Sequence, residues 1–181
     1  MRCTMDYQGI LSRFSYDDET EIMGRITSVD KKDYRENKDI INEIVLWKMS
    51  RRPQVTETMI DAIFELETIK TPTEAIESKK TAEVVEMLLH TKGMQLPMAS
   101  TVLHFYYPNV YPIIDQRAYR ELYGEEYPRT TLRVEKLVNL YIKYIGDCYT
   151  YQQNNCPEIP YAKIDKVLYQ IDKEKGLKVK Y

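Results

Sequence analysis

Apolar residues recur along this chain with the spacing of helices rather than of strands. Between 37 and 50, Ile40, Ile41, Ile44, Val45 and Trp47 fall on one stripe of a helix. Arg51-Arg52-Pro53 ends it, because proline drives the residue before it out of the helical region. Met59, Ile60, Ile63, Phe64 and Leu66 mark a second helix. Thr71-Pro72-Thr73-Glu74 is a helix start, with a threonine cap, proline in the first helical position and a glutamate placed to close a capping box. Val84, Val85, Leu88 and Leu89 predict the next helix, stopped by Gly93. Further helices are expected over 98–106, ending before Pro108, and from Asp115 to the stop at Gly124. A long one is expected over about 131–153, with Leu137, Tyr141, Tyr144 and Cys148 along one side. Ile164, Val167, Leu168 and Ile171 form a last amphipathic helix before a basic tail.

No strand pattern interrupts this series. Helices every dozen or so residues, joined by short loops, predict an all-α protein. Residues 1–36 read as an N-terminal segment, irregular and charged with a short helix near 7–14, and 37–181 as the helical domain. There is no internal repeat and no low-complexity stretch.

Composition narrows the classes. The 181 residues are 43% hydrophobic, enough for a core, yet no apolar run approaches membrane-spanning length. The opening residues carry no signal-peptide pattern, so a soluble, cytoplasmic protein is expected. Cys3, Cys148 and Cys156 are scattered, and only two histidines accompany them. That is too few for a zinc site or an iron–sulfur cluster at standard spacings, so no metal and no cofactor are expected. The net charge of −2 argues against coating nucleic acid through bulk charge, while leaving room for a local basic face. Sixteen tyrosines offer stacking surfaces, but most stand at helical spacing and read as core or boundary residues.

The stretch 88–122 carries the most information. A helix stops at Gly93, a tight turn follows, and a new helix starts at once. Ala99 and Ser100 are small enough to let the two helices approach closely. This is the build of a helix-hairpin-helix, which aims backbone N–H groups and the positive end of its second helix at a phosphate.

The segment resembles the helix-hairpin-helix DNA glycosylases of the endonuclease III type. Gly93 and Met94 match the first two positions of that family's Gly-apolar-Gly turn, and Ala99 matches its small residue. Ile113-Ile114-Asp115 matches its apolar pair and aspartate, and Arg120 its basic residue one turn later; the spacing from the turn to Asp115 agrees as well. The likeness is specific over 88–122 and looser at 37–50, where Met49-Ser50-Arg51-Arg52 is similar to the segment lining the DNA-facing cleft. More narrowly, Leu96-Pro97-Met98-Ala99-Ser100 with Tyr111-Pro112-Ile113-Ile114-Asp115 resembles a group of uncharacterised bacterial relatives of these enzymes. The chain departs from the pattern in three places. Gln95 replaces the second turn glycine, and would fit a positive φ less readily. Pro97 occupies the position of the bifunctional members' lysine and has no amine for a Schiff base. The iron–sulfur cysteines of some members are missing.

What the resemblance implies is a set of candidates, each with a plainer alternative. Asp115 is the catalytic candidate, an ionised carboxylate that stabilises an oxocarbenium-like sugar and activates water; it is equally well placed to cap a helix. Lys92, Gly93, Met94 and Gln95 form the phosphate-binding turn, or an ordinary helix C-cap beside a solvated lysine. Arg51, Arg52, Arg117 and Arg120 are candidates for DNA contact; the first pair would otherwise be solvated at a helix end, and one of the second pair could bond a carboxylate instead. Trp47 and His104, with Tyr106 and Tyr107, are candidates for a base pocket or else core residues. The expected partner is DNA, and the expected activity is that of a monofunctional glycosylase acting without a lysine intermediate. Two alternatives remain open: a catalytically inactive descendant of the fold that binds DNA, RNA or a protein, and a small-molecule or nucleoside pocket on the same scaffold.

Overall fold

The computed structural model describes residues 5–13, 20–49, 55–91, 93–128 and 132–179, with only the backbone of Thr20, Glu21 and Met49. Among these residues there are helices and turns and no strand. In chain order they are α1 (Tyr7–Ser12), α2 (Thr20–Ser28), α3 (Tyr34–Met49), α4 (Glu57–Glu65), α5 (Pro72–Glu77), α6 (Lys79–His90), α7 (Leu96–Tyr106), α8 (Gln116–Tyr123), α9 (Val134–Asn155) and α10 (Ile164–Glu174). Short 3-10 turns at Leu66–Thr68 and Tyr161–Lys163 follow α4 and precede α10.

Local chemistry sets most of the boundaries. Thr56 accepts the Met59 N–H to start α4, and Ser78 accepts the Thr81 N–H to start α6. At α5, Thr71 accepts the Glu74 N–H while the Glu74 carboxylate accepts the Lys70 N–H, so the box closes one residue ahead of the cap. Gly124 ends α8 at φ 72°, a left-handed conformation that glycine adopts without a Cβ penalty.

The core is organised around α7. Leu96 and every residue from Met98 to Phe105 are buried, so this helix has no solvent face, as expected of a helix that is apolar all round. Helix α3 crosses it through Ile40, Ile41, Ile44 and Val45, and the Trp47 ring meets Phe105 edge-on at 5.3 Å. Helix α6 packs alongside. Helix α9 runs past α5 and α6, and the approach to α5 is close: a Cβ at Gly146 would stand 3.2 Å from the Ile76 Cδ1. Helix α10 lies along α8, the most extensive helix pair among the described residues.

The N-terminal segment differs from the sequence expectation in holding a second helix, α2, with Ile22 buried in the same core as Tyr7 and Ile10 of α1. Its apolar stripe is short and interrupted by charge, so periodicity understates it. Packing against α3, where Arg25 pairs with Glu36 and Glu43, completes it. Helix α7 starts at Leu96 rather than 98, because Pro97 is accommodated in a first turn that needs no N–H partner.

The burial pattern of α3 is testable. Ile41 is fully buried, whereas Leu46 is 44% exposed on the same helix. Ile41→Ala is expected to lower unfolding stability by about 2–5 kcal/mol. Leu46→Ala should stay within about 0.5 kcal/mol of the wild type in denaturant titrations.

Candidate functional site

The site is built on a buried stretch of chain that belongs to no helix. Residues 111–114, Tyr-Pro-Ile-Ile, run between α7 and α8 with every residue buried. Their backbone polar groups have neither water nor a helical ladder to satisfy them, and each one left unpaired would cost about 1–3 kcal/mol. Side chains from three helices supply the partners. The Tyr111 N–H donates to the Tyr107 carbonyl, and His104 Nδ1 of α7 lies 2.9 Å from the Tyr111 carbonyl oxygen, which requires the proton on Nδ1. Pro112 has no N–H, and its carbonyl accepts the Tyr141 hydroxyl at 3.0 Å. The Ile113 N–H donates to Asp165 Oδ2 of α10 at 2.9 Å, and its carbonyl accepts the Tyr144 hydroxyl at 3.0 Å. The Ile114 N–H donates to Ser100 Oγ at 3.1 Å, while that hydroxyl donates to the Pro97 carbonyl. The Tyr111 hydroxyl meets Thr81 of α6 at 3.0 Å.

Asp115 emerges from this segment as the N-cap of α8. One oxygen, Oδ1, accepts both the Arg117 and the Ala118 N–H at 2.8 Å. Among the described residues Oδ2 accepts no hydrogen bond, and the side chain is half-buried. Desolvation pushes the Asp115 carboxyl above its ordinary value; the positive charge of Lys48, at the end of α3, and the two N–H bonds oppose the rise, and the Asp165 charge adds to it. The result is a carboxylate with a fixed backbone, one oxygen committed to the α8 cap, and a raised affinity for a proton. Such a group can accept a proton from water or face a developing cation.

The other candidates fall into separate settings. Arg51, Arg52 and Lys92 lie outside the described residues. Gly93 holds the turn between α6 and α7 at φ 86°, and the Met94 N–H closes it on the Thr91 carbonyl while the Met94 side chain is buried. Gln95 is extended at φ −106° and sits at the N-cap of α7 without a side-chain bond, so the turn asks for a left-handed residue at Gly93 and not at Gln95. Arg117 and Arg120 converge on Asp172 of α10, which is 1% exposed; Arg120 binds both its oxygens, at 2.7 and 2.8 Å, and Arg117 one, at 3.0 Å. These guanidinium groups tie α8 to α10. His104 is buried and spent on the Tyr111 carbonyl, Trp47 packs on Phe105, and the Tyr107 hydroxyl donates to the Ile63 carbonyl.

Sequence reasoning missed Lys48, Ser100, Tyr141, Tyr144 and Asp165 as parts of this arrangement. Asp165 carried a readable signal, since it shares a helix face with Leu168 and Asp172 beside the apolar stripe. The hydroxyls of Tyr141 and Tyr144 gave none, because their partners are distant backbone carbonyls. Cys148 and Cys156 are buried and not joined in a disulfide, and burial pushes both thiols up, Cys156 to about 11, which leaves them poor nucleophiles. Among the described residues no group of His, Cys, Asp and Glu converges to hold a metal, and no helix is long and apolar enough to cross a membrane. An open cavity of about 400 Å³ lies between α1 and α10, bordered by Asp6, Arg13, Ile171 and Glu174 and by none of the sequence-derived candidates. Comparison of the chain with protein-family models, curated proteins and solved structures returned no match.

The cap and the raised carboxyl make opposed contributions that substitution separates. Asp115→Ala removes the cap and is expected to cost about 1 kcal/mol. Asp115→Asn keeps a capping oxygen and removes the buried charge, so at neutral pH it should be at least as stable as the wild type. The raised folded-state pKa makes the group's stabilising contribution complete below its unfolded value, about 3.9, and lost as pH rises through the folded value. The stability of wild type relative to Asp115→Asn should therefore fall as pH rises over that window, as read by thermal melts across pH.

Tyr144→Phe leaves the Ile113 carbonyl buried and unpaired. It is expected to cost about 1–3 kcal/mol in denaturant unfolding.

Proposed function

We propose that the protein binds DNA through the hairpin formed by α6, the turn at Gly93 and α7, and hydrolyses the N-glycosidic bond of a base turned out of the helix. Asp115 carries this reading: a half-buried carboxylate, anchored through Oδ1, at the end of a segment whose backbone is bonded from three helices. In the reaction the C1′–N bond breaks, the base leaves with the electron pair, and the sugar gains oxocarbenium character. The Asp115 carboxylate stabilises that charge and accepts a proton as water adds to C1′. Its raised proton affinity suits it to accepting that proton. Pro97 offers no amine at the start of α7, so the reading includes no covalent lysine step there. The exposed backbone around Gly93 and Gln95, ahead of the α7 N-terminus, is the part suited to a phosphate.

A second reading is a DNA-binding protein of this build without catalysis. The observation favouring it is that Oδ1 of Asp115 serves α8 as a complete N-cap, which accounts for the residue without any chemistry.

Base release from duplexes and single strands carrying a panel of modified bases separates the two. Wild type is expected to release at least one base, and Asp115→Asn to lose about 100-fold or more of the rate. Equal rates in both proteins would remove Asp115 from the mechanism. Salt-sensitive DNA binding by both proteins without release of any base would select the second reading.

A further inference from the structure

Asp165 is a buried carboxylate for which packing gives no reason. It sits in the first turn of α10 with 4% of its surface exposed, on a helix otherwise anchored by Ile164, Val167 and Leu168. Its Oδ2 accepts the Ile113 N–H at 2.9 Å, its Oδ1 accepts the Lys166 N–H at 2.8 Å, and His104 Nδ1 stands 3.7 Å from Oδ2. Holding the Ile113 N–H needs one neutral acceptor oxygen. An asparagine would supply it without the cost of burying a charge. The chain nevertheless places an acid there, bonded to the backbone two residues before Asp115.

We propose that Asp165 is a positioning residue for Asp115, fixing the backbone that presents it and bringing a second carboxyl group within electrostatic reach of it. This rests on the reading of Asp115 as the catalytic carboxylate. Helix α10 then grips both flanks of Asp115: Asp165 holds the chain before it through Ile113, and Asp172 holds the helix after it through Arg117 and Arg120. The two acids stand seven residues apart, two turns along one face of α10. Among the described residues, the charged and titratable groups facing the two acids include Lys48 of α3, His104 of α7, Arg117 of α8, Tyr141, Tyr144 and Cys148 of α9, and Lys166 of α10. Desolvation raises the proton affinity of Asp115 most; Lys48 and the two α8 N–H bonds lower it, and Asp165 adds to the rise.

The Arg117 and Ala118 amides, bonded to Asp115 Oδ1, report its ionisation in NMR spectra without need of a substrate. Their titration midpoint is expected to move to lower pH in Asp165→Asn, which keeps an acceptor for Ile113 and removes the charge. A purely structural role would leave the midpoint in place, and an unmoved midpoint in folded Asp165→Asn overturns the proposal. Asp165→Ala removes the acceptor too, and base release should fall about 100-fold in kcat with little change in KM. Undiminished release by folded Asp165→Ala, alongside loss in Asp115→Asn, also overturns it while leaving the glycosylase reading intact. A midpoint that moves in Asp165→Asn while the wild type releases no base supports the link between the two acids and removes the glycosylase reading instead.

Discussion

The structure depends on how a buried, non-helical stretch of backbone is kept hydrogen-bonded. Residues 111–114 pass through the core between two helices, where an unpaired N–H or carbonyl is costly. The fold meets this by converging α7, α9 and α10 on one segment, so that His104, Ser100, Tyr141, Tyr144 and Asp165 each bond its main chain. These five side chains explain much of the topology. Helix α9 must lie close enough for two tyrosine hydroxyls to reach successive carbonyls, and α10 must start where its second residue meets Ile113. The small side chain of Ser100 also lets the segment approach α7 closely enough to bond its hydroxyl.

Asp115 inherits its placement from this arrangement. A carboxylate at a helix start is usually explained by capping alone, and capping is present here. What sets Asp115 apart is the combination of a fixed approach, desolvation and opposing charges from Lys48 and Asp165. Desolvation of the carboxylate weakens the fold and at the same time suits the group to exchange a proton. The arginines of α8 have the opposite character. Arg117 and Arg120 are committed to the buried Asp172, and their charge serves the α8–α10 contact.

Much of the architecture was legible in the chain. The stripe Ile40, Ile41, Ile44 and Val45 predicted α3 and its buried face, the Thr71-Pro72-Thr73-Glu74 start predicted α5, and Gly124 predicted the end of α8. Asp115 was legible as a helix start and as a candidate because both follow from short-range pattern. The expectation for Gln95 changed, since the positive φ of the turn falls on Gly93 and the glutamine position is extended. Helix α2 was not legible because its apolar residues are too few to show a period until α3 is beside them.

The sequence by itself determined the helical class, the helix boundaries set by caps, prolines and glycines, and the position of one distinctive aspartate. These are local properties, decided by residues within a turn or two of each other. Only the tertiary structure decided what surrounds that aspartate. Tyr144, Asp165 and Lys48 are far from Asp115 in the chain, and nothing in their own neighbourhoods marks them as its companions. Their roles come from bonds to backbone atoms and from charges acting across the core, and both exist only once the helices have packed. The feature that first identified the site, an apolar pair followed by aspartate, proves to be the visible end of a buried segment whose partners come from α7, α9 and α10.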